Sequence, residues 1–146
     1  MATLQSNTAK RLTPVPTPEQ AGQVTSLVFD FTFNPVGLVA ASDRVELGVL
    51  PPYAKVVDWH AVGENLNGNI TIGLMTGEFG DPSNSRTVAN EFFAATAMTS
   101  GIYRAAGVAG FNIAPTETYR SIGLTGSADI TAGATKKIKL VVDVIL

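Results

Sequence analysis

The chain ends in KKIKLVVDVIL, and this stretch limits the fold more than any other. Ile138, Leu140, Val142, Val144 and Leu146 fall on one side of an extended strand, with Lys137, Lys139, Val141 and Asp143 on the other. A period of two places every second side chain on one face of a strand, and no helix can use such a pattern. An unpaired strand of this kind would add to other chains through its bare edge, so the pattern predicts a paired strand inside a sheet. The C-terminus is therefore expected in the core.

The opposite end reads differently. Residues 1–23 hold Pro14, Pro16 and Pro18 in alternation with Val15 and Thr17, which favours an extended path without internal hydrogen bonds. Leu4, Leu12 and Val15 are its sizeable apolar groups, too few for a core. Two readings follow: a disordered terminus, or an arm that orders on a partner at an entropic cost.

Between these ends, residues 24–146 alternate in short runs. VTSLVFDFTF aligns Leu27, Phe29, Phe31 and Phe33; RVELGVL points Val45, Leu47 and Val49 inward; KVVDWHAVG aligns Val57, Trp59 and Ala61. NLNGN, Asn65 to Asn69, carries the residues that tolerate positive φ and predicts a hairpin into NITIGLM, where Ile70, Ile72 and Leu74 align. GEFGDPSNSR, residues 77–86, is a loop. Val88, Phe92 and Ala95 are spaced for one helical face, so 88–98 is the one plausible helix, with an irregular run into a strand as the alternative. Two further strands lie in GIYRAAG and TYRSIGLTG. About eight short strands at roughly 8–12-residue spacing indicate an all-β sandwich or barrel.

Composition narrows the function. There is no cysteine, so disulfides, thiolate metal sites and a cysteine nucleophile are ruled out. Net charge is −2 with 15% charged residues, which argues against an electrostatic hold on nucleic acid. No apolar run approaches the roughly 18 residues that span a bilayer, and MATLQSNTAKRLTPVP lacks the apolar stretch of a secretory signal. Yet the mean hydropathy of +0.22 is high for a soluble monomer, a surplus of apolarity that points to surface covered by other protein chains.

Catalytic and metal sites find little support. Asp58, His60 and Glu64 resemble part of the first metal motif of cupins, but the second motif needs another histidine and His60 is the single one. No G-x-S-x-G turn accompanies Asp58 and His60, and Gly107-x-x-Gly110 and Gly123-x-x-Gly126 precede no predicted helix. The expectation is no catalytic residue, no metal and no cofactor. Phe79 and Asp81 could sit in a sugar-binding loop. Tyr103, Arg104, Tyr119 and Arg120 are better candidates for contacts between protomers, because Tyr and Arg are enriched at contact centres.

Four segments carry a likeness to a known group: DRVELGVLPPYAKVVD (43–58), NGNITIG (67–73), Tyr119 to Leu124, and ADITAGATKKIKLVVDVIL (128–146). In layout they resemble tailed-phage virion proteins, in particular the jelly-roll decoration (cement) proteins that coat capsids. The resemblance implies a jelly-roll-like antiparallel sandwich behind an extended N-terminal arm. It also implies a homotrimer on the outer surface of the virion, made in the host cytoplasm, with the major capsid protein as partner and neither nucleic acid nor membrane involved. Leu4, Lys10, Arg11, Leu12 and Val15 are the arm residues expected to reach the capsid. A head-fibre base, a tail component or a lectin-like receptor-binding jelly roll would suit the same layout.

Overall fold

The computed structural model describes residues 2–6, 10, 23–40, 42–83 and 85–145. Nine strands lie among them: β1 (Thr3–Gln5), β2 (Thr25–Thr32), β3 (Arg44–Leu50), β4 (Lys55–Glu64), β5 (Asn69–Met75), β6 (Phe93–Ala97), β7 (Gly101–Arg104), β8 (Arg120–Gly126) and β9 (Lys137–Ile145). A 3-10 turn at Gly110–Asn112 sits between β7 and β8.

The strands form two sheets, ordered β2-β9-β4-β7 and β1-β3-β8-β5-β6. From β2 onward the chain changes sheet at every connection except β5 to β6. With four of these strands in each sheet, this is the double Greek key of a jelly roll. The expected all-β fold is present. β1 is an addition, pairing parallel to the free edge of β3.

The core follows from alternation. β9 lies between β2 and β4, so the C-terminal strand is paired on both sides. Its Ile138, Leu140, Val142 and Val144 are buried, facing Leu27 and Phe29 of β2 and Trp59 and Ala61 of β4 in one continuous cluster. The second sheet contributes Val45, Ile70, Ile72, Ile122 and Leu124.

Four local expectations need correction. In β4 it is Val56, not Val57, that joins the core, because a bulge between Val56 and Asp58 inserts one residue and reverses the alternation. In β3 a second bulge, between Glu46 and Gly48, turns Val49 away from the central cluster. Val49 is still fully buried, as the sheet's outer side is covered there. Residues 88–98 form no helix. Val88 bridges Met75, the Phe92 N–H donates to the Ile72 carbonyl (3.0 Å), and β6 pairs with β5. Backbone pairing to an existing strand overrides the helical spacing, and Phe92 and Phe93 are both buried. Finally, Asn65 to Asn69 is no hairpin: it carries the chain from one sheet to the other. Its turn chemistry was legible, with Asn65 at φ 54° and Gly68 at φ 73°.

Candidate interaction surfaces

Cross-contacts between loops define two ends of the sandwich. Leu38 bridges Ile130, the Leu66 N–H donates to the Thr99 carbonyl (3.1 Å), and Asn67 Nδ2 donates to the Asp129 carbonyl (2.7 Å). Residues 33–40, 42–43, 65–68, 98–100 and 127–136 thus share one end. At the other, the Tyr53 N–H donates to the Thr116 carbonyl (2.8 Å) and the Trp59 indole N–H to the Phe92 carbonyl (2.9 Å). Segments 51–54, 76–83, 85–92 and 105–119 meet there.

This second end has an unusual surface. Tyr53 is 59% exposed, Val108 73%, Phe111 41% and Tyr119 50%. Phe111 packs on the Trp59 ring with centroids 4.4 Å apart, so its exposed side is backed by the core. Tyr53 holds φ 62°, a left-handed conformation that bulky residues rarely adopt. Beside Tyr119, Arg120 opens β8 opposite Leu50. Burial pushes the Arg120 guanidinium down from its ordinary pKa, while the Glu91 carboxylate acts in the opposite direction. Glu91 is itself engaged, accepting from the Leu74 N–H (2.9 Å).

Tyr103 and Arg104 lie elsewhere, on edge strand β7. Tyr103 faces inward against the core, opposite Ala61, whereas Arg104 is exposed opposite His60. The four Tyr and Arg candidates therefore fall in two places, Tyr103 and Arg104 on β7 and Tyr119 and Arg120 at the start of β8. The outer side of the four-stranded sheet carries a row of Val28, Val141, His60 and Arg104 across β2, β9, β4 and β7. Val28 is half exposed and Ile102, one step along β7, more so. Asp58 shares this side with His60, but among the described residues no three His, Asp or Glu side chains are grouped to hold a metal ion.

The arm is partly accounted for. β1 lies along β3 with Leu4 opposite Val45 and packed against the core. The Ser6 hydroxyl donates to the Leu47 carbonyl (2.6 Å), the Ser6 N–H to the Glu46 carbonyl (3.0 Å), and the Thr3 hydroxyl to the Ser83 carbonyl (2.9 Å). Lys10 is exposed; Arg11, Leu12 and Val15 lie outside the described residues. A groove of about 400 Å³ runs between β1 and edge strand β2, lined by Leu4, Gln5, Lys10, Asp30, Phe31 and Pro35 among others.

The expected loop around residues 77–86 is present, and it is a built cover over Glu46. Arg86 pairs with Glu46, and its Nε, Nη1 and Nη2 also donate to the Thr76 carbonyl (2.6 Å), the Asp81 carbonyl (2.8 Å) and the Ser121 hydroxyl (2.8 Å). Burial, and secondarily Arg44, lower the Arg86 pKa. Asp81 also accepts from the Ser83 N–H (2.9 Å), and Phe79 is half-buried, so these two residues serve the loop itself. One sequence signal pointed here: a glutamate inside an otherwise apolar strand, which requires a cationic partner when buried.

With this geometry in place, comparison with solved structures becomes informative. A chain from the capsid of Ralstonia phage GP4 superposes with a TM-score of 0.88 at 32% sequence identity, over 99% of this chain and 97% of that one. The protein belongs to the family of that phage capsid chain. A chain in the capsid asymmetric unit of cyanophage Pam1 has the same fold, with a TM-score of 0.59 and 20% identity over 92% of each chain. No protein-family model matches the sequence, and the search of curated proteins gave no match. The likeness seen in the sequence to phage virion proteins is thus met by a capsid-related chain of the same fold. Among the described residues of this capsid-family protein, no helix is long and apolar enough to cross a membrane.

Proposed function

We propose that this protein is a capsid decoration (cement) protein, which binds the major capsid protein on the outer surface of a phage head and stabilises the shell. The observation that carries the reading is near-complete alignment, at 32% identity, with a chain of a phage capsid. In this reading the protein is no enzyme and works by adhesion. A rigid sandwich is suited to that task, and the apolar side chains left at its surface, such as Val28 and Ile102, offer area for contact.

The assembly we propose is a homotrimer, with Tyr103 and Arg104 of edge strand β7 among the contacts between protomers. The arm, residues 1–23, extends from a sandwich domain of residues 24–146; beyond its anchored first strand, Lys10, Arg11, Leu12 and Val15 reach towards the shell. A standard interface buries about 1,600 Å², enough for stable binding once association costs are deducted. Attachment of the trimer at several points raises its hold on the shell above that of any one contact. Binding to the assembled shell and not to free subunits shifts the equilibrium towards the shell.

The test uses heads purified from phage lacking the protein. Adding the purified protein back should decorate them at saturating stoichiometry and raise the temperature at which they release DNA, and electron microscopy should place the added density outside. Light scattering on the free protein should give the mass of a trimer. Heads that neither bind the protein nor gain heat resistance would overturn the reading.

A further inference from the structure

A bare sheet edge is a template for another strand, and the edges of these two sheets are not alike. β1 has three residues and β7 four, while β6 is broken by a register shift and by Ala95 at φ 42°. β2 runs eight residues in unbroken register with β9, and no described strand lies on its other side. The Phe33 N–H donates to the Lys136 carbonyl (2.9 Å) and continues that register. Alternation therefore turns Leu27, Phe29 and Phe31 towards β9, and the N–H and C=O groups of Ser26, Val28 and Asp30 towards the open side. All three of the latter residues are exposed, and Asp30 also lines the groove of about 400 Å³ between β2 and β1.

The chain itself holds a segment fit for this edge. Residues 13–18 read T-P-V-P-T-P, with proline at every second position. Alternate residues of an extended strand direct their N–H and C=O groups to the same side. Pro14, Pro16 and Pro18 thus fall on one side, and Thr13, Val15 and Thr17 keep a full set of donors and acceptors on the other. Such a strand pairs along one edge and offers no donor along the other, which is the place proline takes in sheets. The ends of the segment agree with this path. Lys10 lines the groove beside Asp30, Asn34 and Pro35, where β2 finishes, and Gln23 stands just before β2 begins. Residues 11–22, between these two points, lie outside the described residues. Fully extended they reach about 40 Å, against about 26 Å for the length of β2, which leaves enough chain for a turn at Gly22.

We propose that residues 13–18 add to the free edge of β2 of their own chain as an antiparallel strand, with Val15 opposite Val28. In this register Thr13 meets Asp30, Thr17 meets Ser26, and Lys10 arrives opposite Phe33, beside the groove it lines. Val15 extends the outer row of Val28, Val141 and His60, which gives half-exposed Val28 an apolar neighbour. The proposal goes beyond the decoration reading. Arg11 and Val15 remain on the outer side of the sheet, open to the shell, while the prolines keep further copies from adding to its edge.

The test uses the full chain free in solution, without heads. The protein has no cysteine, so Val15→Cys with Val28→Cys places a single pair at the Cα separation of about 5.5 Å that a disulfide accepts. Mild oxidation should link the two within one chain. Val15→Cys with Ile102→Cys, on the far edge strand of the same sheet, should stay reduced. The Val28 and Asp30 amides should be protected from hydrogen exchange, and Val15→Pro, which removes a donor on the pairing side, should speed them about ten-fold. Pro16→Ala should leave them protected. Absence of the link to position 28 overturns the proposal, and so does equal linking to position 102. Links formed only between chains overturn it and give the edge to a second copy's arm. Exchange as fast in wild type as in Val15→Pro, or lost protection in Pro16→Ala, would also end it. Because no heads are used, failure here leaves the decoration reading intact, and failure to decorate heads leaves this proposal intact.

Discussion

Arg86 and Glu46 form an ion pair that water does not reach, with the side chains 2% and 0% exposed. The pair fastens the 76–92 cover onto the outer side of β3 and β8, and the Gly80 N–H adds a bond to the second Glu46 oxygen (2.7 Å). Charges taken out of water are stable only while fully partnered. Arg86→Met alone should therefore lower stability by about 3–5 kcal/mol, because it strands the Glu46 carboxylate. Arg86→Met combined with Glu46→Leu should regain much of that loss. Urea unfolding of both variants decides the matter, and equal loss in the single and double variants would show that the charge itself is not the cause.

The two sheets approach closely where β3 lacks a side chain. A Cβ on Gly48 would lie 2.3 Å from the Phe29 ring of the facing sheet. Gly48→Ala should cost about 1–3 kcal/mol by overpacking, as the ring cannot retreat through a filled core. Gly107 is the control, since a Cβ there meets nothing within 4 Å. Gly107→Ala should stay within about 0.5 kcal/mol of wild type. Thermal melting of the pair tests the contrast, and a Gly48→Ala protein as stable as Gly107→Ala would refute it.

The first strand is held by few bonds, and Ser6 makes two of them. Removing its hydroxyl leaves the buried Leu47 carbonyl short of a donor, a loss of about 1 kcal/mol confined to β1. Ser6→Ala should thus speed hydrogen exchange at Leu4 and Gln5 while the protection of β9 stays as it was. Deleting residues 1–6 goes further and bares the edge of β3. That variant should self-associate in a concentration-dependent way. Unchanged exchange at β1 in Ser6→Ala would mean the strand is held by other contacts.

What the sequence revealed and what it hid divide along a physical line. β9 and the Leu27-Phe29 side of β2 were legible because strict alternation survives wherever pairing is regular. Val57 and Val49 depart from their expected places because a bulge is a property of two strands together, here β4 with β9 and β3 with β8. The same holds for Asn65 to Asn69. Its residues announce a turn, but which sheet the chain enters next depends on contacts with residues 127–136, far away in sequence. At the sandwich end, Tyr119 and Arg120 stood out by residue type alone. Tyr53 and Phe111 did not, as their exposure follows from a backbone angle and from the fit of a 3-10 turn against Trp59.

Tyr53 offers the clearest separation of stability from binding. Its φ of 62° costs a side-chain-bearing residue about 1–2 kcal/mol, and a ring 59% exposed recovers little of this by packing. Glycine adopts the angle freely but also loosens the unfolded chain, which subtracts about 0.4–1 kcal/mol. Tyr53→Gly should therefore be as stable as wild type or more stable by up to about 1 kcal/mol. Tyr53→Ala keeps the Cβ in the unfavourable region and should be the less stable of the two. If the strained ring is retained for contact with a partner, both variants should lose affinity for phage heads together, whatever their order in melting. Calorimetry on the free proteins and titration of heads measure the two effects separately. A Tyr53→Gly protein that melts below Tyr53→Ala would sink the strain argument, and one that binds heads as wild type does would show that the Tyr53 ring makes no contact with the shell.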